Sequence, residues 1–280
     1  MTTSIPTSTS VRTGPADAGT EPSHGDWQRV LDARRTGTLA LTEPWCELFG
    51  PLTVEPRSAR VIAQLGQSLD GRIATPTGSS QYINGHAALV HLHRLRALVD
   101  AVVVGIGTVV ADDPALTVRH VEGPSPCRVV IDPRGRIPRD ARLLTADGCR
   151  RIVVTLPGTA IALAPGVEQL RVPAGRDGRL APAAIISALA ALGLHRLLIE
   201  GGAMTVSGFL DAGCLDRLHL AVAPLIIGSG PVGLTLAPID RLDAALRPPA
   251  RCYALGADLL WDVDLAGLRA SPGGTANRST

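Results

Sequence analysis

The sequence predicts an α/β protein in which a mostly parallel central sheet is flanked by helices on both faces. Short apolar segments rich in β-branched residues alternate with segments in which leucine and alanine recur at helical spacing. Ala101–Ile106 is an uninterrupted apolar run, as expected for a strand that is buried on both faces. The alternation favours parallel strands joined by helical crossovers.

The predicted elements follow one another in a regular order. Strands, recognised by short β-branched runs, are predicted at Val61–Leu65, Ala101–Ile106, Arg128–Ile131, Ile152–Thr155, Leu197–Ile199 and Leu218–Ala223. Helices, recognised by periodicity and by glycine stop signals, are predicted at Ala87–Val99, Pro182–Leu192 and Thr205–Ala212. A loop over Pro224–Gly233 and a closing hairpin over Tyr253–Val263 complete the expected domain.

Both ends of the chain are predicted to lie outside this domain. Residues 1–25 are rich in Thr, Ser, Gly and Pro, a composition typical of a disordered tail. Residues 26–58 are predicted to form an N-terminal extension, weakly helical from Trp27 to Phe49 and a linker or entry strand from Pro51 to Arg60. The main domain is expected over residues 59–266, and a second disordered tail over residues 267–280.

Composition excludes several classes of function. The net charge is only +2, too small for a nucleic-acid-binding surface. All 27 basic residues outside histidine are arginine, which excludes a Schiff-base lysine and a Walker-A phosphate loop. The five cysteines are scattered without a CxxC pair, a pattern typical of reduced thiols. Without a signal-peptide pattern or an apolar stretch of membrane-spanning length, a cytoplasmic protein is expected that binds neither membrane nor nucleic acid.

Three predicted strands end in polar turns that contain glycine and an acid. These segments are Gln64–Gly71, Gly105–Arg119 and Leu197–Ala203. Open α/β sheets bind their ligands at the carboxyl ends of the strands, so the three turns are candidate ligand sites. Glycines at the third allow the backbone and the following helix N-terminus to approach a pyrophosphate. Together the turns indicate an enzyme.

Each candidate also has a simpler interpretation. Asp70 fits the cap of an ordinary turn as well as a site residue. The arginines Arg96 and Arg119 suit a phosphorylated small molecule, but they also fit a solvated surface. For Glu200, at the end of a buried strand and before a diglycine, a functional role is favoured.

The histidines do not predict a metal site. His91 and His93 are two residues apart on a predicted helix and therefore point in different directions. No cysteine or carboxylate completes a ligand set with them and His86. All three are expected to be surface or capping histidines.

The segment from Ser68 to Arg119 carries a specific resemblance. Together with Arg128–Asp132, Leu198–Gly202 and Ala223–Gly230, it resembles the reductase half of the bifunctional riboflavin-biosynthesis deaminase/reductase. The resemblance covers roughly residues 60–265 and implies a dihydrofolate-reductase-like fold. It further implies NADPH-dependent reduction of a phosphoribosylamino-pyrimidine, in which hydride reaches C1′ of the opened ribose and leaves a ribitylamino group. A cytoplasmic homodimer is implied as well.

The resemblance also assigns residues by position. It implies that NADPH contacts Gly66, Tyr82, Thr108, Asp112, Gly201, Gly202, Ala203, Met204 and Thr205. It implies that the substrate contacts Gln64, Ser80, Arg96, Leu116, Arg119 and Glu200, with the arginines binding the ribose 5-phosphate. Asp70, Glu200 or a water molecule is expected to supply the proton.

Some positions depart from the family pattern. The sequence lacks the zinc-deaminase signature, so we do not expect it to carry out deamination. Gln64 stands where bacterial bifunctional enzymes have a lysine, and Tyr82 stands where a tryptophan is common. Because an amide can donate or accept, Gln64 suits either a 2-oxo or a 2-amino pyrimidine. Two alternatives stay open: a paralogous NADPH-dependent reductase of specialised metabolism, and a catalytically silent nucleotide-binding protein.

Overall fold

The computed structural model of the protein describes residues 23–38, 41 and 43–268. The predicted tails lie outside these residues except at their inner ends. His24 and Gly25, expected in the N-terminal tail, instead begin a helix that Ser23 and Asp26 cap reciprocally. The capping box was present in the sequence but was assigned to the tail on composition alone.

A single sheet of nine strands forms the centre of the structure. The strands are β1 (Arg60–Ser68), β2 (Ala101–Gly105), β3 (Cys127–Ile131), β4 (Arg151–Thr155), β5 (Val167–Arg171), β6 (Arg196–Ile199), β7 (Arg217–Ala223), β8 (Ala250–Leu255) and β9 (Asp258–Asp264). Their order is β5-β4-β3-β2-β6-β1-β7-β9-β8. Pairing is parallel from β5 to β7, while β9 and β8 add an antiparallel hairpin. The predicted mostly parallel sheet and closing hairpin are confirmed.

Helices cover both faces of this sheet. They are α1 (His24–Thr36), α2 (Trp45–Thr53), α3 (His86–Leu98), α4 (Ile106–Asp112), α5 (Pro182–Ala190) and α6 (Ala203–Asp211). Alternate residues of β1 face opposite layers, as the strand period requires. Val61 and Ala63 pack with α5 and α6, whereas Ile62 packs with α1, α2 and α3. None of the helices that the structure describes is both long and apolar enough to span a bilayer.

The N-terminal extension differs from the single weakly helical stretch that was predicted. It forms two helices, and α2 continues through Pro51, which we had placed in a linker. A proline inside a helix leaves the carbonyl four residues earlier without its usual donor. That carbonyl belongs to Glu47, and the Nη1 of Arg217 donates to it at 2.7 Å. A distant arginine therefore replaces the bond that Pro51 removes.

Two further elements were not predicted. The segment after β2 was expected to form a glycine loop, but Ile106–Asp112 is helical, with Ile106 and Val109 buried in the core. Seven residues that include glycine and two valines have weak helix propensity, so packing stabilises this helix. Strand β5 was missed because its residues are half-exposed at the sheet edge and carry no apolar run.

Candidate active site

The three polar turns meet at one edge of the sheet. Register pairs Ala63 of β1 and Val103 of β2 with the same residue, Ile199 of β6. The ends of β2 and β6 are therefore adjacent, and β1 continues past them from Gln64 to Ser68 alongside β7. This edge matches the location that open α/β sheets use for ligands.

A buried ion pair joins α3 to the end of β6. The Nε and Nη2 of Arg96 donate to the two carboxylate oxygens of Glu200 at 2.8 and 2.7 Å. Both side chains are more than nine-tenths buried, and the Nη1 of Arg96 donates to the carbonyl of Thr117 at 3.0 Å. Burial acts to lower the pKa of Arg96, but the carboxylate outweighs it and the pKa is raised. The two predicted substrate residues thus bind each other, and Glu200 is held as a hydrogen-bond acceptor.

Asp70 caps a turn at the neighbouring strand ends. Its carboxylate accepts hydrogen bonds from the Ser68 hydroxyl at 2.6 Å and from the amides of Ile227 and Gly228 at 3.1 and 2.7 Å. These bonds, that of Ser68 first, lower the pKa of Asp70 to about 2. The three hydrogen bonds cap the turn and favour the ionised carboxylate.

The diglycine turn after β6 packs against α4. The amide of Gly202 donates to the Oγ1 of Thr108 at 2.8 Å. Gly201 has a φ of +86°, and a Cβ there would lie 2.5 Å from that same oxygen. Neither the conformation nor the space allows a side chain.

Helix α6 begins directly after this turn. Within the described part of the chain, the first-turn amides of Ala203 and Met204 have no acceptor, as is usual at a helix N-terminus. The side chain of Met204 is 88% exposed. The tight turn and the open amides together provide a place where an anionic group can approach the backbone closely.

A second loop covers β1. Gly66 leaves room for Asn84, because a Cβ at Gly66 would lie 2.1 Å from the Asn84 Oδ1. Asn84 in turn donates to the carbonyl of Ala221 at 3.3 Å. Gly66, predicted as a cofactor contact, therefore has a packing role here. The loop also carries Ser80 and Tyr82, and Tyr82 has a φ of +66° and a 92% exposed side chain.

The chain after α4 carries the remaining predicted residues. Asp112 lies at the end of α4, and partial burial raises its pKa. Leu116 is buried with a φ of +55°, a strained conformation of the kind that collects at functional sites. Burial, and then the nearby Arg96 and Arg142, lower the pKa of Arg119. Among the described residues the Arg119 side chain has no acidic partner, so this cationic group is suited to a bound anion.

Two histidines were predicted wrongly as surface or capping residues. Both are buried: the Nε2 of His91 lies 3.0 Å from the Nδ1 of His219, and the Nδ1 of His93 accepts from the Arg119 amide at 3.0 Å. Neither partner was visible from local sequence. Within residues 23–38, 41 and 43–268, no three His, Cys, Asp or Glu side chains come close enough to hold a metal ion.

Residues 59–259 match the family of the RibD C-terminal domain. The chain belongs to this family. It is 36% identical over 214 residues to a protein of Methanothermobacter thermautotrophicus named 2,5-diamino-6-ribosylamino-4(3H)-pyrimidinone 5′-phosphate reductase, covering 74% of this chain and 98% of that protein. It is 38% identical over 184 residues to Mycobacterium tuberculosis RibD, covering 64% of this chain and 46% of RibD. The chain thus spans about half the length of this relative.

Solved structures support the same assignment. The deaminase/reductase of Thermotoga maritima aligns with a TM-score of 0.64 at 26% identity, over 74% of this chain and 57% of that one. The Saccharomyces cerevisiae reductase Rib7 shares the fold, with a TM-score of 0.63 at 19% identity, over 85% and 99% of the two chains. The predicted dihydrofolate-reductase-like fold is confirmed, and the chain is an oxidoreductase of the riboflavin-biosynthesis family.

Replacing Arg96 with Met should destabilise the protein strongly, because it leaves the buried Glu200 carboxylate without its partner. We expect a loss of about 3 to 5 kcal/mol in the free energy of unfolding, measured by urea denaturation. Arg150 is a matched control, since it binds Glu168 with the same two-bond geometry at an exposed site. Arg150→Met should cost less than about 1 kcal/mol; equal losses in the two variants would contradict the importance of burial.

Replacing Asp70 with Asn should leave catalysis largely intact and weaken the turn. Loss of a proton donor would lower kcat by about 100-fold or more, whereas loss of a cap should lower it by less than about 10-fold. The folded-state pKa of about 2 lies below the usual 3.8, so the contribution of Asp70 to stability is present above pH 3.8 and is lost as pH falls toward 2. The variant should therefore be less stable than the wild type at pH 7 and closer to it at pH 2; an equal difference at both would refute the capping role.

Proposed function

We propose that the chain uses NADPH to reduce the ribosylamino group of a phosphorylated pyrimidine to ribitylamino, with the 2,5-diamino pyrimidinone named for its archaeal relative as the preferred substrate. One observation carries the proposal. The turn formed by Gly201 and Gly202 and fixed by Thr108, here called the cradle, directly follows Glu200. A place for the cofactor and a buried, oriented carboxylate therefore share one strand end. Arg119 adds a cation without an acidic partner in the described chain.

The cradle fits the diphosphate of a dinucleotide. Gly201 presents no side chain, and Thr108 fixes the turn by accepting from the Gly202 amide. The first amides of α6 can donate to phosphate oxygens, and the helix dipole favours their negative charge. When bound, the reduced nicotinamide supplies the hydride.

The remaining residues orient the substrate. Arg119, with Arg142 nearby, is placed to bind the 5-phosphate. Arg96, although predicted to share that role, directs three donors at Glu200 and Thr117, so we assign it to holding Glu200. Glu200 can then accept from hydroxyl groups of the opened ribose with its remaining lone pairs.

The reaction needs one hydride at C1′ and one proton at the attached nitrogen. Asp70 and Glu200 are both held as acceptors by strong donors. Of the three sources expected from the sequence, we therefore propose that water supplies the proton. The protein contributes mainly by orientation, which brings the reacting carbon and the hydride source together in a fixed geometry.

The assay is NADPH oxidation by the purified protein, with the 2,5-diamino pyrimidinone phosphate and its deaminated uracil counterpart offered in parallel. We expect turnover, with a higher kcat/KM for the diamino substrate. Arg119→Ala should raise its KM by about 10- to 100-fold through loss of the phosphate contact. Absence of turnover on both substrates would refute the proposal, and an unchanged KM in the variant would remove Arg119 from the site.

The cradle itself can be tested through Thr108. Thr108→Val keeps the shape but removes the acceptor for the Gly202 amide, and should raise the Kd for NADPH by about 5- to 10-fold. Thr108→Ser keeps the hydroxyl and should bind normally. Fluorescence titration with NADPH measures both. Equal affinity in the Val and Ser variants would show that this hydrogen bond does not organise the cofactor site.

The homodimer expected from the resemblance and the cytoplasmic location expected from the sequence composition stay predictions. Sedimentation of the purified chain would decide the first.

A further inference from the structure

Helix α1 lies against the loop that carries Arg119. The match to the family model begins at residue 59, so α1 (His24–Thr36) lies before the matched residues. Its Trp27 is 4% exposed, and the indole N–H donates to the carbonyl of Glu122 at 2.9 Å. The neighbouring Gln28 side chain donates to the Glu122 carboxylate. One turn of α1 thus binds both the backbone and the side chain of a residue three positions after Arg119.

Helix α3 contacts the same loop. The Arg119 amide donates to the Nδ1 of His93 at 3.0 Å, and the Nη1 of Arg96 donates to the carbonyl of Thr117 at 3.0 Å. Gly123 approaches α3 so closely that a Cβ there would lie 2.7 Å from the Cβ of Ala97. The loop therefore contacts both helices, of which only α3 lies within the residues that match the family model.

The bond from Arg119 to His93 is stable near neutral pH. Burial, and then the charges of Arg96, His120 and Arg119, lower the pKa of His93 to about 3. The imidazole is neutral, so its Nδ1 can accept while Nε2 carries the proton. The hydrogen bond from the Arg119 amide to His93 is therefore not expected to change near neutral pH.

Arg119 and α1 also line the same cavity. Its volume is about 480 Å³, and its walls include His24 and Trp27 of α1 together with Arg94 and Arg119. The Arg94 guanidinium lies over the Trp27 ring, 5.8 Å from the ring centroid. An anionic group that reaches Arg119 through this cavity would therefore lie beside residues of α1.

We propose that α1 is a specificity element of the substrate site, and that Trp27 is a positioning residue that holds Arg119 at the substrate phosphate. This rests on the proposed function, which assigns the phosphate to Arg119. Without the indole donor, α1 loses its hydrogen bond to the loop backbone at Glu122, while the hydrogen bonds from the loop to α3 remain. The Arg119 guanidinium is then less fixed, and the loss falls on phosphate recognition and not on the reacting carbon.

The test compares Trp27→Phe with Trp45→Phe in the full chain. Phe keeps the aromatic packing of Trp27 but removes the indole N–H. Trp45 is a matched control because it is buried in the same cluster and stacked on Phe49 at 6.1 Å, while its indole makes no hydrogen bond to the 117–123 loop within the described part of the chain. Gln28→Ala is a second variant, which removes the other contact of α1 with Glu122 and can be used if Trp27→Phe folds poorly.

Each variant is measured with the phosphorylated substrate and with its dephosphorylated counterpart. Trp27→Phe should raise KM for the phosphorylated substrate by about 3- to 10-fold, with kcat within about 2-fold and no change for the dephosphorylated one. In an Arg119→Ala background the same change should have no further effect, because the two residues act through one contact. Trp45→Phe should match the wild type. Equal effects on both substrates, or additivity with Arg119→Ala, would overturn the proposal.

Calorimetric titration with ribose 5-phosphate separates this inference from the proposed function. If the wild type turns over neither pyrimidine but binds ribose 5-phosphate more tightly than Trp27→Phe does, the proposed reaction is refuted and the positioning role is supported. Turnover by the wild type with identical KM in Trp27→Phe would refute the positioning role alone. A wild type that neither turns over nor binds ribose 5-phosphate would refute both.

Discussion

The buried ion pair between Arg96 and Glu200 is the interaction on which the site depends. Removing two charges from water is costly unless both are fully hydrogen-bonded, so the surrounding backbone must hold them in one arrangement. The pair fixes α3 against the end of β6, and a third donor of Arg96 fixes the loop at Thr117. The diglycine turn follows Glu200 directly. The loop at Thr117, the diglycine turn and α3 are therefore oriented by one contact, which explains how a strand end becomes an organised site.

The second constraint is close packing at positions where only glycine fits. A Cβ at Gly105 would overlap the side chain of Thr205. In the same way, a Cβ at Gly201 would overlap Thr108, and one at Gly66 would overlap Asn84. These contacts bring α4, α6 and the loop over β1 to one edge of the sheet. The edge is consequently held by hydrogen bonds and steric fit, and little of it needs to rearrange before a ligand binds. Preorganisation of this kind suits a reaction in which the protein mainly orients its reactants.

The sequence predicted every strand except β5, and it predicted that the three polar turns lie at strand ends, because these features follow from local apolar runs and glycine positions. It did not predict which residues would meet. Arg96 and Glu200 are 104 positions apart, and the sequence left Arg96 assigned to phosphate because its partner was unknown. Asp70 had a turn-capping alternative, but the amides of the 227–228 turn that donate to its carboxylate lie 157 and 158 positions away. The burial of His93, the passage of α2 through Pro51 and the helix after β2 likewise depend on tertiary contacts that override local propensity.

The central claim is that this sheet edge directs hydride to C1′ of the substrate. The most direct measurement follows deuterium into the product from NADPH that carries deuterium at both C4 positions, analysed by mass spectrometry and NMR after incubation with the 2,5-diamino pyrimidinone phosphate. We expect one deuterium at C1′ of the ribityl chain for each cofactor oxidised. Oxidation of the cofactor with an unlabelled ribityl chain would contradict it.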